Sequence, residues 1–129
     1  GIYYDSGGVD VTTIAGEITP ATTLFGSVEN TSMPAAGRIA VGFACNVTVH
    51  VDISSEMSAN TTNADFQVAV NGTPVAGAIA YASRGNQVTM NNPSITVPLT
   101  LAANDYVSVI LTGSPIELYS MTITLKGEV

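Results

Sequence analysis

His50 is the single histidine of a 129-residue chain, and Asp52 stands two positions beyond it. On an extended strand that spacing puts both side chains on one face, close enough for a carboxylate to orient an imidazole, as a nucleophilic triad requires. A triad also needs a hydroxyl in a concave, water-poor site, whereas a strand face of this composition is expected to lie flat against solvent. The pair is therefore read as a solvated surface. Carboxylates offer a second chemistry, because two of them across a cleft would suggest glycoside hydrolysis. Asp5 and Asp10, however, fall in an N-terminal stretch, and Asp52, Glu56 and Asp65 flank one loop. Those three could gather a hard cation, yet their spacing matches no calcium-loop signature. Solvated loop charges are expected instead.

Cys45 stands alone, which excludes an internal disulfide and a zinc site built on several thiolates. No cofactor and no metal are expected. Asn30, Asn46, Asn60 and Asn71 each open a match to the N-glycosylation pattern. Such matches arise easily in a chain rich in Asn and Thr, and Asn71 is explained by a turn. Asp105, in "LTLAANDYVSVILTGS", follows a small polar cluster and precedes an alternating run. Asn and Asp there bond to nearby backbone and favour turns, so Asp105 is read as turn chemistry. An enzyme is not expected.

The totals point the same way. The net charge is −7 and only Arg38, Arg84 and Lys126 are basic. That disfavours nucleic acid, which needs cations to displace phosphate counterions, and an anionic membrane surface equally. Charged residues make up 10 % of the chain, against roughly 25 % in ordinary globular domains, and the mean hydropathy is +0.36. So few charges leave apolar area hard to mask, and part of it is expected to be buried against other subunits. The start, "GIYYDSGG", has neither the basic nor the apolar region of a signal peptide.

These residues must be positioned by strands. In "RIAVGFACNVTVHVDIS" the odd positions from Ile39 to Ile53 are all apolar, a period of two that no helix satisfies. One long strand over 39–53 is predicted, with the Ala40, Gly42, Ala44 side covered by a neighbouring subunit or by the N-terminal arm and the His50, Asp52 side wet. "FQVAVNGTPV" alternates Phe66, Val68 and Val70 and breaks at Asn71-Gly72, a strong hairpin signal. "VAGAIAYAS" carries Val75, Ile79 and Tyr81 with alanines between. In "SITVPLTL" Pro98 cannot donate to a ladder, which predicts an edge or bulged strand. "DYVSVILTG" aims Val107, Val109 and Leu111 one way and Tyr106, Ser108 and Ile110 the other, and "IELYSMTITL" puts Tyr119, Met121, Ile123 and Leu125 on one side. No segment shows a helical period. Strands separated by Gly, Pro and Asn turns predict an all-β, antiparallel two-sheet sandwich or jelly roll, formed by residues 23–129. Residues 1–22 read as an extended N-terminal arm able to pack on a neighbour, with a partly ordered leader or an ordinary first strand as the alternative.

The order of "MPAAGRIAVGFACNVTV", "FQVAVNGTPV", "ITVPLTLAANDYVSVIL" and "LYSMTITLKG" resembles the tumour-necrosis-factor/complement-globular-head type of jelly roll. It is similar in particular to the versions found in bacteriophage and bacterial surface structural proteins. The usual Gly before the Asp of that family's turn is Asn104 here, which also tolerates left-handed backbone. The resemblance covers about residues 33 to 127 and implies a non-catalytic homotrimer. The positions fitting its subunit contacts are Tyr106, Ile110 and Leu118, with Ala40, Gly42 and Ala44 as a second patch. A fibre tip of this class usually follows a shaft or docking domain, whereas this sequence offers a short arm and one domain. The expectation is therefore a capsid decoration or cement protein of the virion, assembled in bacterial cytoplasm. Its partners would be itself and the major capsid protein or another virion protein, with Tyr3, Tyr4, Val9, Val11 and Ile14 as capsid-anchoring residues of the arm. The alternative is a receptor- or carbohydrate-binding head of a tail fibre or spike.

Overall fold

The structure is a computed structural model that describes residues 2–6, 11–20, 23–26 and 30–127. Along the described chain run β1 (Ile2–Asp5), β2 (Val11–Thr13), β3 (Gly16–Glu17), β4 (Leu24–Phe25), β5 (Thr31–Ser32), β6 (Ile39–Val41) and β7 (Cys45–Met57). They are followed by β8 (Thr62–Val70), β9 (Thr73–Arg84), β10 (Met90–Asn91), β11 (Ser94–Leu101), β12 (Tyr106–Gly113) and β13 (Ile116–Gly127). They form two antiparallel sheets packed face to face, a jelly-roll sandwich. One sheet is ordered β10-β7-β13-β1-β4, with β11 also on β7 and β2 also on β13. The other is ordered β5-β6-β12-β8-β9, with β3 also on β12.

The core lies between the inward faces that alternation selects. β7 contributes Val47, Val49, Val51 and Ile53, β12 contributes Val107, Val109 and Leu111, and β8 contributes Phe66 and Val68, all buried. Residues alternate across a pleated strand, so their partners at even positions face outward, His50 and Asp52 among them. Pro98 lies on β11, whose ladder is with β7 alone, so the missing N–H falls on an edge strand. The β8–β9 hairpin turns at Asn71 and Gly72, both with positive φ (53° and 82°), as a tight two-residue connection demands.

Three expectations are corrected. The run 39–53 is two strands, not one. β6 pairs with β12 in one sheet, the chain bends over Gly42–Ala44, and β7 joins β13 and β11 in the other. Parity survives the bend because both sheets face the same core, so Ile39 and Val41 stay buried while Phe43, at the bend, is exposed. On β13, the register with β7 shifts between Leu118 and Ser120. This bulge leaves Tyr119 half-buried and turns Leu118 inward, since one extra residue reverses which side a strand presents. Ser6 satisfies the Tyr119 carbonyl, its N–H donating at 2.9 Å and its hydroxyl at 2.8 Å.

The third correction concerns the N-terminal arm. β1 sits between β13 and β4 with Ile2 and Tyr4 buried. β2 pairs with β13 while β3, three residues on, pairs with β12. The described part of residues 1–22 is therefore woven into both sheets and steps from one to the other. Gly37 secures the step. Its φ is +80°, and a side chain there would run into the Ile18 carbonyl. At the opposite side of the sandwich Asn91 makes a second tie. Its carboxamide accepts from Ser83 N–H (3.3 Å) and donates to Ser83 C=O (3.0 Å), capping the free edge of β9 from the other sheet.

On β9 Ala78 and Ala82 enter the core, while Val75 packs against its margin. The register with β8 shifts between Gln67 and Ala69, Gly77 has a φ of 82°, and the Gln67 side chain bonds the Val75 carbonyl at 2.9 Å. Ala78 and Ala82 are consequently buried while Tyr81 points to solvent.

Candidate functional site

The outward side of the six-stranded sheet carries Tyr106 and Ile110, two of the residues singled out by sequence. Its β12 end is fixed by Asp105, whose carboxylate accepts from Asn71 Nδ2 at 2.8 Å and from the Ala102 N–H at 2.8 Å. The Asn71 side chain, and next the Ala102 amide, hold this carboxyl below the ordinary aspartate range against a smaller opposing effect of desolvation. Asn71 Oδ1 accepts in turn from Tyr106 N–H at 3.0 Å. Asp105 is thus a turn residue that also clasps a second turn, as its context in the sequence suggests.

Tyr106 follows on β12, half-buried, with the Arg38 guanidinium 4.4 Å above its ring centroid. Cation and aromatic face attract one another. Arg38 is itself held by Glu17 on β3, through Nε to both carboxylate oxygens at 3.1 Å and Nη2 at 2.9 Å. β3, paired beside β12, thus holds through Glu17 the guanidinium that lies on the tyrosine ring. Ile110, further along β12, pairs with Glu17 and Gln67 and is half-buried.

Of the expected subunit contacts, Tyr106 and Ile110 lie on this outward side. Ala40 is 8 % exposed, whereas Gly42 and Ala44 are at the surface of the bend. Leu118 does not belong with them. At 1 % exposure it is a core residue, placed there by the bulge at Tyr119. Of the expected anchors, Tyr3, Val11 and Ile14 are exposed, Val9 lies outside the described residues, and Tyr4 is 4 % exposed in the chain's own core. Burial first, and then the charge of Asp5, raises the Tyr4 hydroxyl pKa above the ordinary tyrosine value. Tyr4 is consequently unable to reach a neighbour while β1 is in place.

The outward face of the seven-stranded sheet carries a polar row. His50 Nε2 lies 2.8 Å from Asp52 Oδ2, and Nδ1 lies 2.7 Å from Thr96 Oγ1. Asp, His and hydroxyl thus stand in the order of a relay. Thr96 was not visible as a partner in the sequence, because only the β11–β7 register sets it opposite His50. The side chains of His50 and Asp52 are 44 % and 59 % exposed, so water competes for every bond in the row and no enclosed site surrounds a reacting atom. Glu56 and Asp65 do not join it. Among the described residues no group of three or more His, Cys, Asp or Glu side chains could hold a metal ion.

No protein-family model matches the chain, and no curated protein matches its sequence. In three dimensions it is similar to the solved structure of Eiger TNF from S. frugiperda. The TM-score is 0.75 at 14 % sequence identity, over 99 % of this chain and 90 % of that one. The fold is accordingly a tumour-necrosis-factor-like jelly roll, and at this identity the likeness speaks for the fold alone.

Proposed function

We propose that the chain is a non-enzymatic structural subunit that associates as a homotrimer and decorates a bacteriophage capsid. One observation supports association with companions. On a surface short of charge, Ile14 (70 %), Tyr81 (69 %), Leu24 (64 %) and Phe43 (51 %) stand out in solvent. Scattered apolar side chains are normal on a monomer, but a surface with so few charged residues masks little of this area, and burial against companions removes it. A jelly roll of the tumour-necrosis-factor type, in which sheets rather than clefts dominate the surface, suits a scaffold better than a catalyst.

In this reading Ile110 and the bend at Phe43–Ala44 meet other copies, and the shell is gripped by the β2–β3 corner, where Val11 and Ile14 project, with Tyr3 beside Leu24. The grip is thus a corner held by two sheets, and its avidity comes from three such corners engaging together. The test is native mass by light scattering, followed by co-sedimentation with undecorated phage capsids. Three chain masses and saturable binding that Ile14→Asp abolishes are expected. A monomer mass at high concentration, or full binding by Ile14→Asp, overturns the proposal.

A further inference from the structure

A recess of about 330 Å³ opens beside β6, lined among others by Asn30, Ser32, Pro34, Ala40, Asn104 and Tyr106. None of its lining residues is charged. Two non-glycine residues with left-handed backbone meet here, Asn30 (φ 60°) and Asn104 (φ 71°). Each is tied to the end of β6: Gly42 N–H donates to the Asn30 carbonyl at 2.7 Å, and Asn104 N–H donates to the Val41 carbonyl at 2.8 Å. Such backbone strains an ordinary residue, Asn less so, and it fixes where both side chains start. Neither carboxamide has a hydrogen-bond partner among the described residues. Tyr106 is held by Arg38, and the charge of Arg38 is already matched by Glu17.

We propose that this recess binds a neutral sugar, one pyranose ring bearing adjacent hydroxyls. A carboxamide presents a donor and an acceptor side by side, the pattern that vicinal hydroxyls complement. Tyr106 and Pro34 supply apolar surface for the C–H face of the ring. A charged ligand would find no opposite charge, and a purely apolar one would leave both amides unpaired. The volume sits at the small end of ligand sites. This inference stands whether the chain coats a shell or tips a fibre. It also moves subunit contacts off Tyr106, Ala40 and Gly42, because a second copy seated there would fill the recess.

The test is NMR titration of the full, isotope-labelled chain with millimolar methyl glucoside, methyl mannoside, methyl galactoside and N-acetylglucosamine, using glucuronate and cyclohexanol as comparisons. Saturable shifts of the Ser32, Gly42 and Asn104 amides are expected with at least one neutral sugar. The double variant Asn30→Gly/Asn104→Gly keeps the left-handed backbone while removing both carboxamides, and is expected to bind about tenfold or more weakly with unchanged native mass. Absence of saturable shifts with all four sugars, equal binding of glucuronate or cyclohexanol, or full binding by the double variant overturns the inference. Loss of sugar binding at constant mass separates this site from the contacts of the proposed trimer.

Discussion

Asn71 and Asp105, thirty-four positions apart, join two turns through a single 2.8 Å hydrogen bond. The bond ties the β8–β9 hairpin to the entry of β12, and Asn71 also receives the Tyr106 N–H. Because the folded Asp105 carboxyl titrates below its unfolded value, its contribution is complete above the unfolded pKa, near 4. It is lost as pH falls through the folded value. Wild type is therefore expected to lose more stability than Asp105→Asn between about pH 5 and pH 2, by chemical denaturation at each pH. Asn71→Ala removes both side-chain bonds and strains a positive φ, and is expected to cost about 1–2 kcal/mol at neutral pH.

Leu118 and Ile110 are chemically alike and oppositely placed. Leu118→Ala empties core volume and is expected to cost about 2–5 kcal/mol, read by denaturant midpoint, without changing native mass in the folded fraction. Ile110→Ala on the outward side is expected to cost about 1 kcal/mol or less and to weaken self-association. Equal stability losses would contradict the placement of Leu118.

Ser108 is fully buried on β12, and its hydroxyl has no hydrogen-bond partner among the described residues. Removing an unpaired buried hydroxyl relieves its desolvation. Ser108→Ala is expected to raise stability by about 1 kcal/mol, seen as a higher melting temperature.

Asn91→Ala uncaps the free edge of β9. A loss of about 1 kcal/mol is expected, with faster amide exchange at Ser83 and a greater tendency to aggregate, since an open edge invites further strands. Unchanged exchange at Ser83 would show that the carboxamide does not protect the edge.

The readable parts of the fold were those with local causes. Alternation at Val107, Val109 and Leu111 named the inward side of β12, Asn71-Gly72 named a hairpin, and Pro98 named an edge. What the sequence hid depends on distant partners. Alternation is the same whether residues 39–53 stay in one sheet or bend into the other, because the core lies on the same side throughout. No local signal marks the bulge at Tyr119, whose carbonyl is bonded by the distant Ser6, so alternation alone places Leu118 on the wrong face. The neighbours of His50 and Tyr106 were equally hidden. Thr96 and Arg38 reach them through strand register and a docked N-terminal segment, and neither is encoded nearby.

The pairing of Ile2 with Ile123 gives synthesis an order. Of these two strands β1 is made first, and its place beside β13 stays open until more than a hundred further residues have followed. During that interval its apolar residues are free to insert beside β13 of a sister chain emerging from the same message. Exchange of this strand between nascent neighbours is thus a kinetic hazard built into the topology, and slow translation lengthens the time over which it can happen.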